Sequence, residues 1–119
     1  MVLGRGIAMR REDALTILNE VYRDCAKIFP CGIHDAYLYG SYARGDFHEE
    51  SDVDILLTVD LNWDEISNFR KAVAHAASSL SLKHDVTISV SVNPLDVFIR
   101  HAELPYYKNV RNEGIRYAV

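Results

Sequence analysis

A mixed helix-and-strand class, α/β or α+β, is predicted for this chain by three observations. Residues 10–29 carry apolar side chains at the helical period, residues 35–39 and 53–59 are short apolar runs of strand length, and residues 85–92 alternate apolar and polar with a period of two. Helical and strand periods therefore follow one another along the chain, as they do in layered α and β folds. A length of 119 residues suits one domain spanning 1–119 around a single core, with residues 1–8 expected to be flexible.

The first helix is read from Ala14, Leu15, Leu18, Val21, Tyr22, Cys25, Ile28 and Phe29, with Pro30 and Gly32 stopping it. Asp35 to Tyr39 then forms a short buried strand that delivers Gly40 and Ser41 at its C-terminal end, where α/β sheets often bind ligands. The following residues begin as a helical turn and continue as a loop, because Gly45, Asp46, Glu49 and Glu50 do not favour a longer helix. In the strand Val53 to Val59, one face takes Val53, Ile55, Leu57 and Val59, and the other takes Asp54, Leu56 and Thr58, preceded by Asp52. Asn62 and Glu65 form a reciprocal cap for a core-facing helix through Ile66, Phe69, Val73, Ala76, Ala77 and Leu80. A third strand sets Val86, Ile88, Val90 and Val92 against Asp85, Thr87, Ser89 and Ser91. Pro94 opens a short helical segment to about His101, and the tail from Pro105 mixes aromatic and basic residues.

Composition narrows the function classes. The chain is 49% hydrophobic and 25% charged, with no apolar run long enough to span a membrane, so no membrane partner is expected. The opening residues lack the apolar core and cleavage site of a secretion signal, which predicts a cytoplasmic protein. Cys25 and Cys31 are too few for a zinc site and read as reduced thiols. A net charge of −4 argues against broad nucleic-acid binding, which rests on clustered Lys and Arg.

The stretch Gly40 to Leu57 carries the chemistry. Gly40-Ser41 ends one strand and leads into a helical turn, where free backbone N–H groups and the missing side chain of Gly40 admit a phosphate. Ten residues later Asp52 and Asp54, two apart on a strand, project to the same face and can hold Mg²⁺. A phosphate cradle facing metal ligands is what in-line displacement at a nucleoside triphosphate needs. If the third strand lies beside the second, Asp85 approaches the pair on the polar face and a three-carboxylate site results.

Gly40-Ser41, ten residues, then Asp52-Val53-Asp54, with Ala43-Arg44-Gly45-Asp46 in the spacer and Ser51 before the first Asp, resembles the signature of the DNA polymerase beta-like nucleotidyltransferase superfamily. More narrowly, it is similar to the minimal nucleotidyltransferase (MNT) branch, and Tyr106 to Ile115 resembles the ending of many such proteins. The resemblance implies a nucleotidyltransferase fold, a small mixed β-sheet with helices packed mainly on one side. It implies transfer of AMP from ATP to a hydroxyl with release of pyrophosphate, supported by two Mg²⁺ ions. Asp52, Asp54 and Asp85 would be the catalytic and metal-binding residues, and Gly40, Ser41 and Arg44 would contact the nucleotide. It also implies a partner, a HEPN-family toxin for which the MNT protein is the antitoxin. Two other functions fit the same fold: a non-catalytic antitoxin that covers its partner, and a small-molecule, antibiotic-modifying nucleotidyltransferase.

Several residues admit a plainer reading. Arg44 can reach a phosphate or pair with Asp46 or Glu49 on the surface. Asp46, Glu49 and Glu50 read as a solvated loop, and the five histidines show no metal-ligand spacing. Tyr106 and Tyr107 can stack on a base, but closing aromatics read more simply as core or interface. Lys108, Arg111 and Arg116 either hold a triphosphate or an acidic partner, or decorate the surface.

Overall fold

The computed structural model describes residues 9–117, and the expected flexibility of residues 1–8 lies outside the described residues. Helix α1, Arg11–Ala26, buries Ala14, Ile17, Leu18, Val21 and Cys25 on one face. It ends at a Lys27 cap, earlier than the apolar period suggests, because the residue preceding Pro30 is disfavoured from helical conformation. Phe29 still reaches the core from the turn.

Four strands form one mixed sheet: β1, Asp35–Tyr39; β2, Val53–Val59; β3, Ile88–Pro94; and β4, Ile115–Arg116. Their order is β3-β2-β1-β4. β1 runs antiparallel to β2 and β4, while β2 and β3 are parallel, as the crossover through helices between them requires. The two-residue β4 is too short to leave a periodic signal in the sequence.

Five further helices connect the strands: α2, Ser41–Arg44; α3, Trp63–Ser67; α4, Arg70–His84; α5, Leu95–Arg100; and α6, Pro105–Glu113. The predicted cap is present, with Asn62 Oδ1 accepting from the Glu65 N–H at 2.8 Å and Glu65 Oε1 accepting from the Asn62 N–H at 3.0 Å. The single helix expected after it is two. Phe69 leaves helical geometry (φ −109°, ψ 1°) and packs edge-on against Phe29, centroids 5.3 Å apart.

The third strand also differs from expectation, beginning at Ile88 rather than Asp85. Asp85 closes α4 in the left-handed conformation (φ 51°, ψ 48°). The Val86 N–H donates to the Ser81 carbonyl at 3.2 Å and the Ile88 N–H to Ser81 Oγ at 3.1 Å, so this segment is tied to the helix end until the strand starts.

The two sheet faces are covered unequally. Ala36, Leu38, Val53, Ile55, Leu57 and Val59 pack with buried residues of α1 and α4 in the main core. Each of the Leu, Val and Ile side chains contributes roughly 1.5–3 kcal/mol on burial. On the opposite face Leu56, Tyr37 and Tyr39 meet Phe98, Tyr107 and Val110 of the short helices α5 and α6. That smaller cover stops short of the N-terminal end of β2, where Asp54 lies. No helix among the described residues is long and apolar enough to cross a membrane.

Candidate active site

Antiparallel pairing of β1 with β2 brings the two halves of the Gly40 to Leu57 stretch together. Tyr39 is the register partner of Asp54, so the chain leaves β1 at Gly40 beside the carboxylate that begins β2. Gly40 has φ 75° and ψ −155°, a conformation essentially confined to glycine. A Cβ there would stand 2.5 Å from Asp54 Oδ2. The glycine expected to make room for a phosphate makes room first for a carboxylate.

The spacer is held in shape by local contacts. Gly40 caps α2, whose Ala43 and Arg44 N–H groups donate to its carbonyl at 3.1 and 3.0 Å. Gly45 turns the chain at φ 93°, and Arg11 Nη2 donates to the Ala43 carbonyl at 2.8 Å. Tyr42 stacks on Phe47 with centroids 4.4 Å apart. Ser51, buried, accepts from the His48 N–H at 3.0 Å and fixes the turn that delivers Asp52.

Asp54 is half-buried and Asp52 is exposed just outside β2. Burial raises the Asp54 carboxyl above its ordinary value, the Asp52 charge raises it further, and Arg44 partly opposes both. Neither carboxylate has a hydrogen bond or ion pair among the described residues. Two neighbouring hard oxygen ligands, one of them half-buried and only partly offset by Arg44, suit Mg²⁺, which is commonly held by one or two carboxylates together with substrate phosphates. Arg44 pairs with Asp46 (Nε to Oδ2, 3.3 Å), the surface contact expected of it, and also lines the cleft at Asp54. The pair is exposed and its strength small, which leaves the guanidinium available to an anion.

Asp85 is not brought to this pair. Asp54 is in register with Ser89, and Asp85 lies four residues before it, in the helix cap and off the strand. No group of three His, Cys, Asp or Glu side chains placed to hold a metal is found among the described residues. The expected three-carboxylate site is therefore corrected to a pair, with a serine hydroxyl at the adjacent strand position. The alternation expected from Asp85 is taken up as strand only from Ile88, and Ser89, not Asp85, is the polar position beside Asp54.

The cleft above these residues, about 380 Å³, has a second wall made by Tyr106, whose stacking reading the sequence offered beside a simpler core one, and by Tyr39, Asn109 and Glu113, which sequence reasoning missed. Tyr39 and Tyr106 join hydroxyl to hydroxyl at 3.0 Å, and burial together with that bond raises the Tyr39 hydroxyl well above its ordinary value. The two closing tyrosines separate. Tyr107 is core and donates to Asn93 Oδ1 at 2.8 Å, while Tyr106 is exposed in the cleft. The helical spacing 106, 109, 113 was the available signal, but it needed α6 to be placed. The basic tail residues serve other contacts: Arg111 donates to the Phe98 carbonyl at 2.7 Å, Arg116 pairs with Asp35, and Lys108 stands 3.8 Å from Glu103. His84 binds Glu20 at 2.6 Å, tying α4 to α1.

A glycine turn set against paired carboxylates at the open end of a mixed sheet is an arrangement suited to group transfer at a polyphosphate. The nucleotidyltransferase domain model matches residues 18–116, and the chain belongs to this family of nucleotidyl-transferring enzymes. A protein of Methanocaldococcus jannaschii is 32% identical over 103 residues, covering 87% of this chain and 97% of its own length. A second from the same organism is 36% identical over 77 residues, 65% of this chain and 70% of that protein. Both are named, provisionally, protein adenylyltransferases. Among solved structures, a provisionally named nucleotidyltransferase of Sulfolobus solfataricus superposes with a TM-score of 0.60 at 18% identity, covering 96% of this chain and 91% of that one. A toxin-antitoxin structure with AMP-PNP gives 0.59 at 22% identity over 85% and 73%, and a mutant of the toxin-antitoxin MntA-HpeT gives 0.57 at 22% over 84% and 70%. At these identities the likeness is one of fold.

Proposed function

We propose that this chain transfers AMP from ATP to a hydroxyl on a partner protein, that the partner is a HEPN-family toxin, and that the transfer neutralises it in the cytoplasm. The observation that carries the reading is the closure of Gly40 on Asp54, which sets a side-chain-free turn directly against a half-buried carboxylate. The names of the Methanocaldococcus relatives support a protein acceptor, and the fold shared with toxin-antitoxin structures supports a toxin as that acceptor.

In this reading Gly40, Ser41 and Arg44 bind the polyphosphate, and Asp52 and Asp54 would hold Mg²⁺. When bound, the ion neutralises charge developing on the phosphate oxygens. The acceptor oxygen attacks the α-phosphorus, the bond from that phosphorus to the bridging oxygen breaks, and pyrophosphate departs. The hydroxyl proton passes to the carboxylate pair and then to water. The chain acts as one minimal domain whose open cleft is completed by the partner's surface.

The test is incubation of the chain and its co-purifying partner with Mg²⁺ and ATP labelled at the α-phosphate, comparing wild type with Asp54→Asn. Label on the partner with wild type alone is expected. A partner that stays inhibited yet unlabelled overturns the proposal in favour of inhibition by binding.

A further inference from the structure

The cleft has two dissimilar walls on opposite faces of the sheet. Tyr42 and Ala43 of α2 belong to the main core with α1 and α4, whereas Tyr107 and Val110 of α6 belong to the smaller core on the other face. The end of β1 and the start of β2 lie between them, so a ligand spanning the cleft touches Gly40, Ser41 and Arg44 on one side and α6 on the other.

On the α6 side, Tyr106, Asn109 and Glu113 are three and four residues apart and share one helical face. The Tyr106 ring is 42% exposed but braced on two sides, edge-on to Tyr39 at 5.7 Å and tilted against Tyr107 at 5.3 Å. Its hydroxyl is held by Tyr39. The side chains of Asn109 and Glu113 have no hydrogen-bond or ion-pair partner among the described residues, although their neighbours Tyr107, Lys108 and Arg111 all do. A fixed aromatic ring beside an unengaged amide and an unengaged carboxylate offers a stacking surface, a donor-acceptor pair and a further acceptor.

Charge gives the direction. Arg44 is the cation among the lining residues, the anion beside it, Asp54, is the one read above as a Mg²⁺ ligand, and Glu113 is a second anion on the α6 wall. A polyphosphate is drawn to Arg44 and repelled by Glu113, so the α6 wall receives the part of a nucleotide that is uncharged and rich in donors.

We infer that the Tyr106–Asn109–Glu113 face of α6 is the nucleoside-recognition wall of this cleft, Tyr106 stacking on the base while Asn109 and Glu113 engage its exocyclic amine or the ribose hydroxyls. This rests on the nucleotidyl-transfer reading above. It places nucleoside selectivity on residues outside the Gly-Ser and Asp-x-Asp segments.

The test compares binding of ATP and of inorganic tripolyphosphate, both with Mg²⁺, by calorimetry on the full chain. Tyr106→Ala, Asn109→Ala and Glu113→Gln should each weaken ATP roughly ten-fold, the scale of one lost stacking or hydrogen-bonding contact, while tripolyphosphate affinity stays unchanged in the first two and is unchanged or higher in Glu113→Gln, which removes a repelling charge. Tyr106→Phe, which keeps the ring, should retain ATP affinity within about three-fold. Wild-type ATP affinity in the three variants overturns the inference and leaves the transfer reading intact. Equal loss of both ligands also overturns it, since the wall would then only support the fold. Failure of wild type to bind either ligand overturns the transfer reading itself.

Discussion

Gly40→Ala tests how the site is built, and its cost can be worked from the backbone. At φ 75° and ψ −155° an alanine is held in a region essentially reserved for glycine, at a cost of about 1–3 kcal/mol. The new Cβ would also stand 2.5 Å from Asp54 Oδ2, so the carboxylate must turn away. Forcing a side chain off its rotamer adds about 0.5–1.5 kcal/mol. The sum, about 1.5–4.5 kcal/mol, is a large fraction of the stability of a small domain. At roughly 4 °C per kcal/mol for a chain of this length, Tm should fall by about 6–18 °C. Thermal and urea unfolding of wild type, Gly40→Ala, Asp54→Ala and the double variant separates the two parts. With the carboxylate gone, Gly40→Ala should retain only its backbone cost, giving a coupling of about 0.5–1.5 kcal/mol in the cycle. Nucleotidyl transfer by Gly40→Ala should drop by about a hundred-fold, because displacement of a reacting group by an ångström costs that much. Equal destabilisation in both backgrounds, with transfer preserved, would refute the close approach and the function drawn from it.

Other substitutions test the electrostatics and the corrected carboxylate set. Asp54→Asn should abolish transfer while leaving the protein at least as stable as wild type at pH 7 in Mg²⁺-free buffer. The folded Asp54 carboxyl is raised by burial and by Asp52, so its favourable contribution is full below the unfolded pKa and is lost as pH rises through the folded one. The advantage of the amide should consequently vanish in acid, and a constant difference across the pH range would contradict the assignment. Glu20→Gln should behave in the opposite sense. Burial raises the Glu20 carboxyl, but the bonds to Lys83 and His84 outweigh it and set the net value below 4.5. Wild type should be more stable by about 0.5 kcal/mol at neutral pH, an advantage lost as pH falls through that lowered value and weakened by salt. Asp85→Gly should gain up to about 1 kcal/mol by relieving the left-handed cap and should keep transfer within about three-fold. Loss of activity in that variant, measured with α-labelled ATP, would return Asp85 to the site.

Local signals were legible wherever neighbouring residues in sequence decide the structure. The apolar period of α1, the Asn62–Glu65 cap and the turn from Gly40 into α2 each depend on contacts within a few positions, and each is present. The limits of those signals are also local. Phe69 fits the helical period yet interrupts the helix, because its ring packs on Phe29, a residue that no pattern within the window identifies as its neighbour. Asp85 fits the alternation of its strand but belongs to the helix before it, since period two constrains which face a residue takes and not where hydrogen bonding begins.

By itself the sequence determined the class of fold and the Gly-Ser and Asp-x-Asp segments, because both are written in short-range order: spacing, period and the special conformations open to glycine. Only the tertiary structure decided which residues share the cleft. The β1–β2 register places Tyr39 beside Asp54, β3 presents Ser89 where a third carboxylate was expected, and α6 folds back to join Tyr106 to Tyr39 across 67 residues of chain. The last of these follows from burying Tyr107 and Val110 against Leu56, a packing choice made between segments distant in sequence.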